Sequence, residues 1–197
     1  MRPLISCCLV GLLAGSYPIS VLQPPQTVRT EWGDARNGLR LGLTTSPEQP
    51  DRRVDRQFYI AIENIGDNDV VINLGHMLAN GKVMFPYAIR LVLTDPAGTT
   101  RDLEYFDRRY PGVAGRVDDF IVALRAGSVY ALRVPLDRFW SPATKEFELN
   151  LARGQYRIES RFVGDGARYI NLDTPGIALL NFWKGTLRSN SATFEVP

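Results

Sequence analysis

The chain has 197 residues, 45% hydrophobic and 22% charged, with a formal net charge of +2. Those proportions belong to an ordinary globular protein. The near-neutral balance gives no electrostatic case for nucleic acid.

Residues 1–20 read as a secretory signal peptide. Arg2 supplies the positive charge, Leu4 to Gly15 is apolar apart from Ser6, and Ala14-Gly15-Ser16 and Ile19-Ser20 supply small residues. Cleavage after Ser16 or after Ser20 both fit. The apolar run is far shorter than the ~20 residues a spanning helix needs. Cys7 and Cys8 are the only cysteines, and both lie in this segment. Leu4-Ile5-Ser6-Cys7 has the local pattern of a lipoprotein box, but too little chain precedes it to insert. A mature chain without cysteine is held by its core alone. No Asn-x-Ser/Thr sequon occurs. The expectation is an exported protein, periplasmic or extracellular, of a bacterial kind.

Residues 21–37, with Pro24 and Pro25, read as an extended lead-in. Residues 38–197 read as one domain, longer than the ~100 residues of a minimal immunoglobulin-type sandwich. Leu39, Leu41 and Leu43 alternate with polar or small residues and define a first strand. Phe58, Ile60 and Ile62 define a second, which ends at the turn signal Asn64-Ile65-Gly66-Asp67-Asn68-Asp69. Val70, Ile72 and Leu74 give a third, and Asn80-Gly81 a hairpin turn. Ile89, Leu91 and Leu93 follow, turned back by Asp95-Pro96-Ala97-Gly98 towards Leu103 and Tyr105. Phe120, Val122 and Leu124 are expected to pair, through Arg125-Ala126-Gly127, with Val129 to Val134. Phe147, Leu149 and Leu151 lead to the final pair. Short helices are expected only near Pro135 to Trp140 and near Pro175 to Leu180.

The final pair carries most of the fold information. Tyr156, Ile158 and Phe162 recur at even spacing with Arg157, Glu159 and Arg161 between them. That is a strand with one buried and one wet face. Leu151-x-x-Gly154-x-Tyr156 resembles the tyrosine corner of immunoglobulin-like sandwiches, in which the phenol bonds back to upstream backbone. Tyr156 and Trp183 could instead form a ligand-stacking pair. The corner and a sandwich-edge plug are preferred, because buried aromatics carry much core area.

Trp32-Gly33, Asn37-Gly38-Leu39, Glu63-Asn64-x-Gly66-Asp67 and Trp183-x-Gly185-x-Leu187-x-Ser189-Asn190 together resemble a type of exported bacterial immunoglobulin-like domain, distantly similar to the bacterial proteinase-inhibitor sandwich. The resemblance implies a fold and transfers no site. The chain is therefore expected to be all-β: an immunoglobulin-like antiparallel Greek-key β-sandwich of about nine strands with long loop insertions.

Chemistry is sparse. His76 is the single histidine, and no Gly-x-Ser-x-Gly elbow accompanies it. With one histidine and no mature cysteine, no zinc site is expected. Glu63, Asp67 and Asp69 share a turn, and Asp118-Asp119 is a second acidic pair. These could offer oxygens to calcium, but turn carboxylates more often bond local backbone. Adjacent in a strand, Asp118 and Asp119 point to opposite faces and cannot act together on one sugar. No catalytic residue, metal or cofactor is assigned. The best binding candidates are Arg108, Arg109, Tyr110 and Arg116, in a long Gly-punctuated loop rich in hot-spot residue types. The same loop could be a plain crossover whose arginines pair with Asp102, Glu104 or Asp107. The expected function is a non-enzymatic module that binds a protein or glycan of the cell envelope through loops at the sandwich end. The alternatives are a secreted hydrolase with carboxylates meeting at that end, or a proteinase inhibitor that offers an extended loop.

Overall fold

The computed structural model describes residues 30–45, 56–78, 81, 83–106, 116–145, 148–168, 176 and 180–197. Its strands are β1 (Leu39–Thr45), β2 (Gln57–Asn64), β3 (Val70–Leu78), β4 (Val83–Phe85), β5 (Ile89–Thr94), β6 (Thr100–Tyr105), β7 (Val117–Leu124), β8 (Val129–Pro135), β9 (Phe139–Trp140), β10 (Gly154–Gly164) and β11 (Gly185–Val196). One 3-10 turn, Leu136–Arg138, joins β8 to β9. The fold is all-β and every pairing between named strands is antiparallel. The strands form three sheets in the orders β1-β2-β8, β11-β10-β5-β6-β9 and β4-β3-β7.

Alternation builds the core as expected. Leu39, Leu41 and Leu43 of β1, Phe58, Ile60 and Ile62 of β2, and Ile89, Leu91 and Leu93 of β5 are at most 1% exposed. The tyrosine corner is present: Tyr156 Oη donates to Ala152 O at 3.0 Å, and its ring stacks on Phe194 at 5.4 Å. Trp183 is a buried plug. It stacks on Phe162 at 5.7 Å, donates from Nε1 to Asn37 O at 3.1 Å, and lies so close over Gly164 that a Cβ there would sit 2.5 Å from its ring.

Two expectations need correction. The turn at Arg125-Ala126-Gly127 does not make a hairpin. β7 pairs with β3 and β8 pairs with β2, so the chain changes sheet there. The β2–β3 turn changes sheet at the same end. Asn64, fully buried, ties both crossings together. Its N–H donates to Ser128 O at 3.0 Å and its carbonyl accepts from Gly127 N at 2.8 Å. Its Nδ2 donates to Asn68 O at 2.8 Å and Leu124 O at 3.0 Å. Its Oδ1 accepts from Gly66 N at 3.0 Å. Leu124, Gly127 and Ser128 are thereby held against the end of β2, at the point where β7 and β8 part into different sheets. The second correction concerns Leu149 and Leu151, which lie outside any strand yet pack partly buried against the core. The strand count exceeds the expected nine through the short β4 and β9, which carry too few residues to show a period.

The signal peptide and residues 21–29 of the lead-in lie outside the described residues. The end of the lead-in is built into the fold. Gly33 N donates to Leu41 O at 2.9 Å, and Arg36 and Leu39 exchange N–H···O bonds at 2.7 and 3.0 Å. Between them, Asn37 and Gly38 both take positive φ, 47° and 79°, the geometry of a two-residue hairpin turn.

Asn64→Ala leaves Gly66 N with its second acceptor, Gly38 O, and removes the side-chain donor to the Asn68 and Leu124 carbonyls. Each such group left unsatisfied costs about 1–3 kcal/mol, so a loss of about 3 kcal/mol in urea unfolding is expected. Asn64→Asp should be worse, because it turns oxygen towards the Asn68 and Leu124 carbonyls. A loss below about 1 kcal/mol for either variant would show that the corner does not depend on this side chain.

Candidate functional site

Arg108, Arg109 and Tyr110 lie outside the described residues. Arg116 leads into β7, where its Nε donates to both oxygens of Asp118 at 2.9 and 3.1 Å. This is an exposed pair of small energetic worth. The turn carboxylates are drawn to protein partners: Glu63 to Arg40 Nε at 2.5 Å, and Asp69 to Ala126 N at 3.0 Å. Among the described residues no group of three or more His, Cys, Asp or Glu side chains could hold a metal ion.

Asp118 and Asp119 face opposite ways, as expected. Asp119 is 4% exposed and belongs to a polar cluster with Asn73, which is equally buried. Asp119 Oδ1 accepts from Asn73 Nδ2 at 2.7 Å and from Arg168 N at 2.9 Å. Asn73 Nδ2 also donates to Gly166 O at 2.9 Å. The segment Gly166–Arg168 is thus strapped over β3 and β7. His76 stands opposite Asp119 in the β3–β7 register, and its ring stacks on Phe85 at 4.7 Å and lies 5.2 Å from Tyr87. A register shift between Asn73 and His76 sets this up. Gly75 lies at the shift with φ 151°, and a Cβ on it would meet Phe85 O at 2.0 Å. Burial holds the His76 pKa below 6.5, against the opposing charge of Asp119. Neutral histidine beside a buried carboxylate has the elements of an acid–base pair; Asp119 Oδ1 and Asn73 Nδ2 bond the strap, and Asn73 Oδ1 accepts from Gly75 N at 3.0 Å at the register shift. Sequence reading singled out His76 and Asp119 separately; nothing in their spacing, 43 positions apart, announces the pairing.

A shallow depression of about 410 Å³, lined by Asp34, Ala35, Arg36, Thr186, Leu187 and Arg188, lies between the lead-in and β11.

The feature with most capacity to bind is the outer edge of β8. Among the described residues this strand pairs on one side alone, with β2. Asn64 N donates to Ser128 O, and Leu136 N to Arg56 O at 2.8 Å. By the alternation of an antiparallel ladder, the intervening even-numbered residues face β2. The N–H and C=O groups of Val129, Ala131 and Arg133 therefore point away from the sheet. All three residues are exposed, Val129 at 52%. Tyr130 and Leu132, on the core face, are only partly buried, and Tyr130 meets Phe120 of β7 edge to face at 6.4 Å. The strand has no proline before Pro135, and its pairing with β2 runs without a register shift. It lacks those two common protections of an edge. No helix among the described residues is long and apolar enough to cross a membrane.

No protein-family model matches the chain. No curated protein matches it either. Among solved structures, the X-ray structure of Northeast Structural Genomics Consortium target SoR45 aligns over 82% of this chain and 89% of its own, at 13% identity and a TM-score of 0.31.

A pH dependence follows from His76. The unfolded chain takes up a proton near pH 6.5, whereas the folded chain resists it to lower pH. This contribution to stability is fully present above 6.5 and is lost as pH falls below it towards the folded value. Urea unfolding followed from about pH 8 to pH 5 should show the loss. His76→Phe, which keeps a ring on Phe85, should flatten that part of the curve. An unchanged slope in the variant would contradict the assignment.

Proposed function

We propose that this chain is an exported, non-enzymatic binding or assembly module of immunoglobulin-like type, which engages polypeptide by main-chain pairing at the outer edge of β8. The observation that carries the reading is the open row of Val129, Ala131 and Arg133. Strand addition to such an edge obtains affinity from backbone bonds and specificity from alternate side chains. The leader-like composition of residues 1–20 supports export to the periplasm or beyond. The tyrosine corner and the two cross-sheet turns support the immunoglobulin likeness. The pairing order departs from the constant-type sandwich: here the earlier strand of the second crossing, β7, joins β3 and the later one, β8, joins β2.

Cross-linking in intact cells, followed by identification of the linked peptides, tests the reading. A polypeptide linked recurrently through β8, and lost in Ala131→Pro, is expected. The Ala131 N–H points outwards, so proline there breaks no bond to β2. A partner linked through Arg116 and unaffected by Ala131→Pro would contradict the edge and favour the loops.

A further inference from the structure

The β8 edge is complementary to itself. We infer that its occupant is a second copy of this chain, paired antiparallel to β8 about a two-fold axis through Ala131. This rests on the reading of β8 as a pairing edge and names its partner.

The register follows from which groups face outwards. Only Val129, Ala131 and Arg133 present N–H and C=O to a newcomer, so hydrogen-bonded pairs across the interface must be odd with odd. Centring on Ala131 sets Ala131 against itself and Val129 against Arg133 of the second copy. Each of the three exposed residues then exchanges both bonds with its counterpart. Any shift by one residue sets outward groups against groups already bonded to β2. A shift by two in either direction leaves two such pairs instead of three, since Pro135 offers no N–H and Gly127 N is already bonded to Asn64 O.

Side chains agree with this register. The two-fold places the smallest residue of the strand against its own copy, without steric conflict. Val129 receives the aliphatic stem of Arg133, and the two arginines sit at opposite ends, so no like charges face each other. On the core face Tyr130 falls opposite Leu132 of the second copy. These are the two partly buried apolar side chains of β8, and pairing extends the apolar layer across the junction. A continuous six-stranded sheet results, β1-β2-β8 from one copy and β8-β2-β1 from the other. Isologous contact of this kind closes at two copies.

Sedimentation of the full chain over a wide concentration range tests the inference. A mass that doubles with concentration is expected, with Ala131→Pro remaining at the monomer mass and keeping the wild-type circular dichroism. In a second test, Ala131→Cys in a chain carrying Cys7→Ser and Cys8→Ser should form a disulfide-linked dimer under mild oxidation. Cα atoms of a hydrogen-bonded antiparallel pair are about 5.5 Å apart, within disulfide reach. Thr99→Cys, on an exposed turn elsewhere, should not. A monomeric wild type at all concentrations overturns the second copy as occupant. If strand-linked capture of a different polypeptide persisted in cells, the binding reading would stand without it. A dimer that survives Ala131→Pro, or equal cross-linking through Thr99→Cys, places the contact on another surface and also overturns the inference.

Discussion

One buried residue ties together the two points where the chain crosses between sheets. A chain that leaves one sheet for another exposes main-chain groups at the crossing, and buried groups of that kind must find partners. Asn64 supplies them for two crossings at once. Its main chain holds Gly127 and Ser128, and its amide holds Gly66, Asn68 and Leu124. These bonds fix the end of β7 and the start of β8 against β2, where the two strands part into different sheets. Among the described residues the outer edge of β8 is open for that reason: the neighbour that a hairpin would have given it has gone to β3.

The junction of β1 with β11 is solved by related chemistry. The β10–β11 register shifts between Glu159 and Arg161, so that Ser189 and Asn190 stand against Ser160. Ser189 Oγ accepts the Ser160 N–H at 2.8 Å. Asn190 turns towards β1, accepting from Leu43 N at 2.8 Å and donating to Leu43 O at 3.0 Å. An amide side chain, which carries the same donor and acceptor as a peptide group, replaces one rung of a ladder. Farther along, the lead-in wedges in, and Gly33 approaches so closely that a Cβ would meet Arg188 O at 2.1 Å. One flank of the molecule is closed by side chains and a wedge, while among the described residues the β8 flank keeps its rungs unmade.

Period-2 alternation made the strands themselves legible. Leu39 to Leu43, Phe58 to Ile62 and Ile89 to Leu93 needed no tertiary information, since each has one wet and one dry face. Leu-x-x-Gly-x-Tyr gave the corner at Tyr156, because the phenol bonds locally. Pairing was less legible. Arg125-Ala126-Gly127 has the composition of a hairpin turn, and only bonds to the distant Asn64 mark it as a crossing. Asn37-Gly38 carries a plain two-residue turn signal, and both residues take the positive φ it demands. The polar cluster was invisible as a unit, since Asn73, Asp119 and Arg168 meet through a register shift and a strap. The edge of β8 was equally hidden: its residues read as an ordinary strand, and an edge is a property of topology.

Amide hydrogen exchange along β8, on protein dilute enough to be monomeric, tests the central claim most directly. If β8 borders β2 alone, Val129, Ala131 and Arg133 should exchange fast while Tyr130, Leu132 and Val134 are protected. Uniform protection along the strand at high dilution would mean that both its edges are paired within one chain, and would contradict the account.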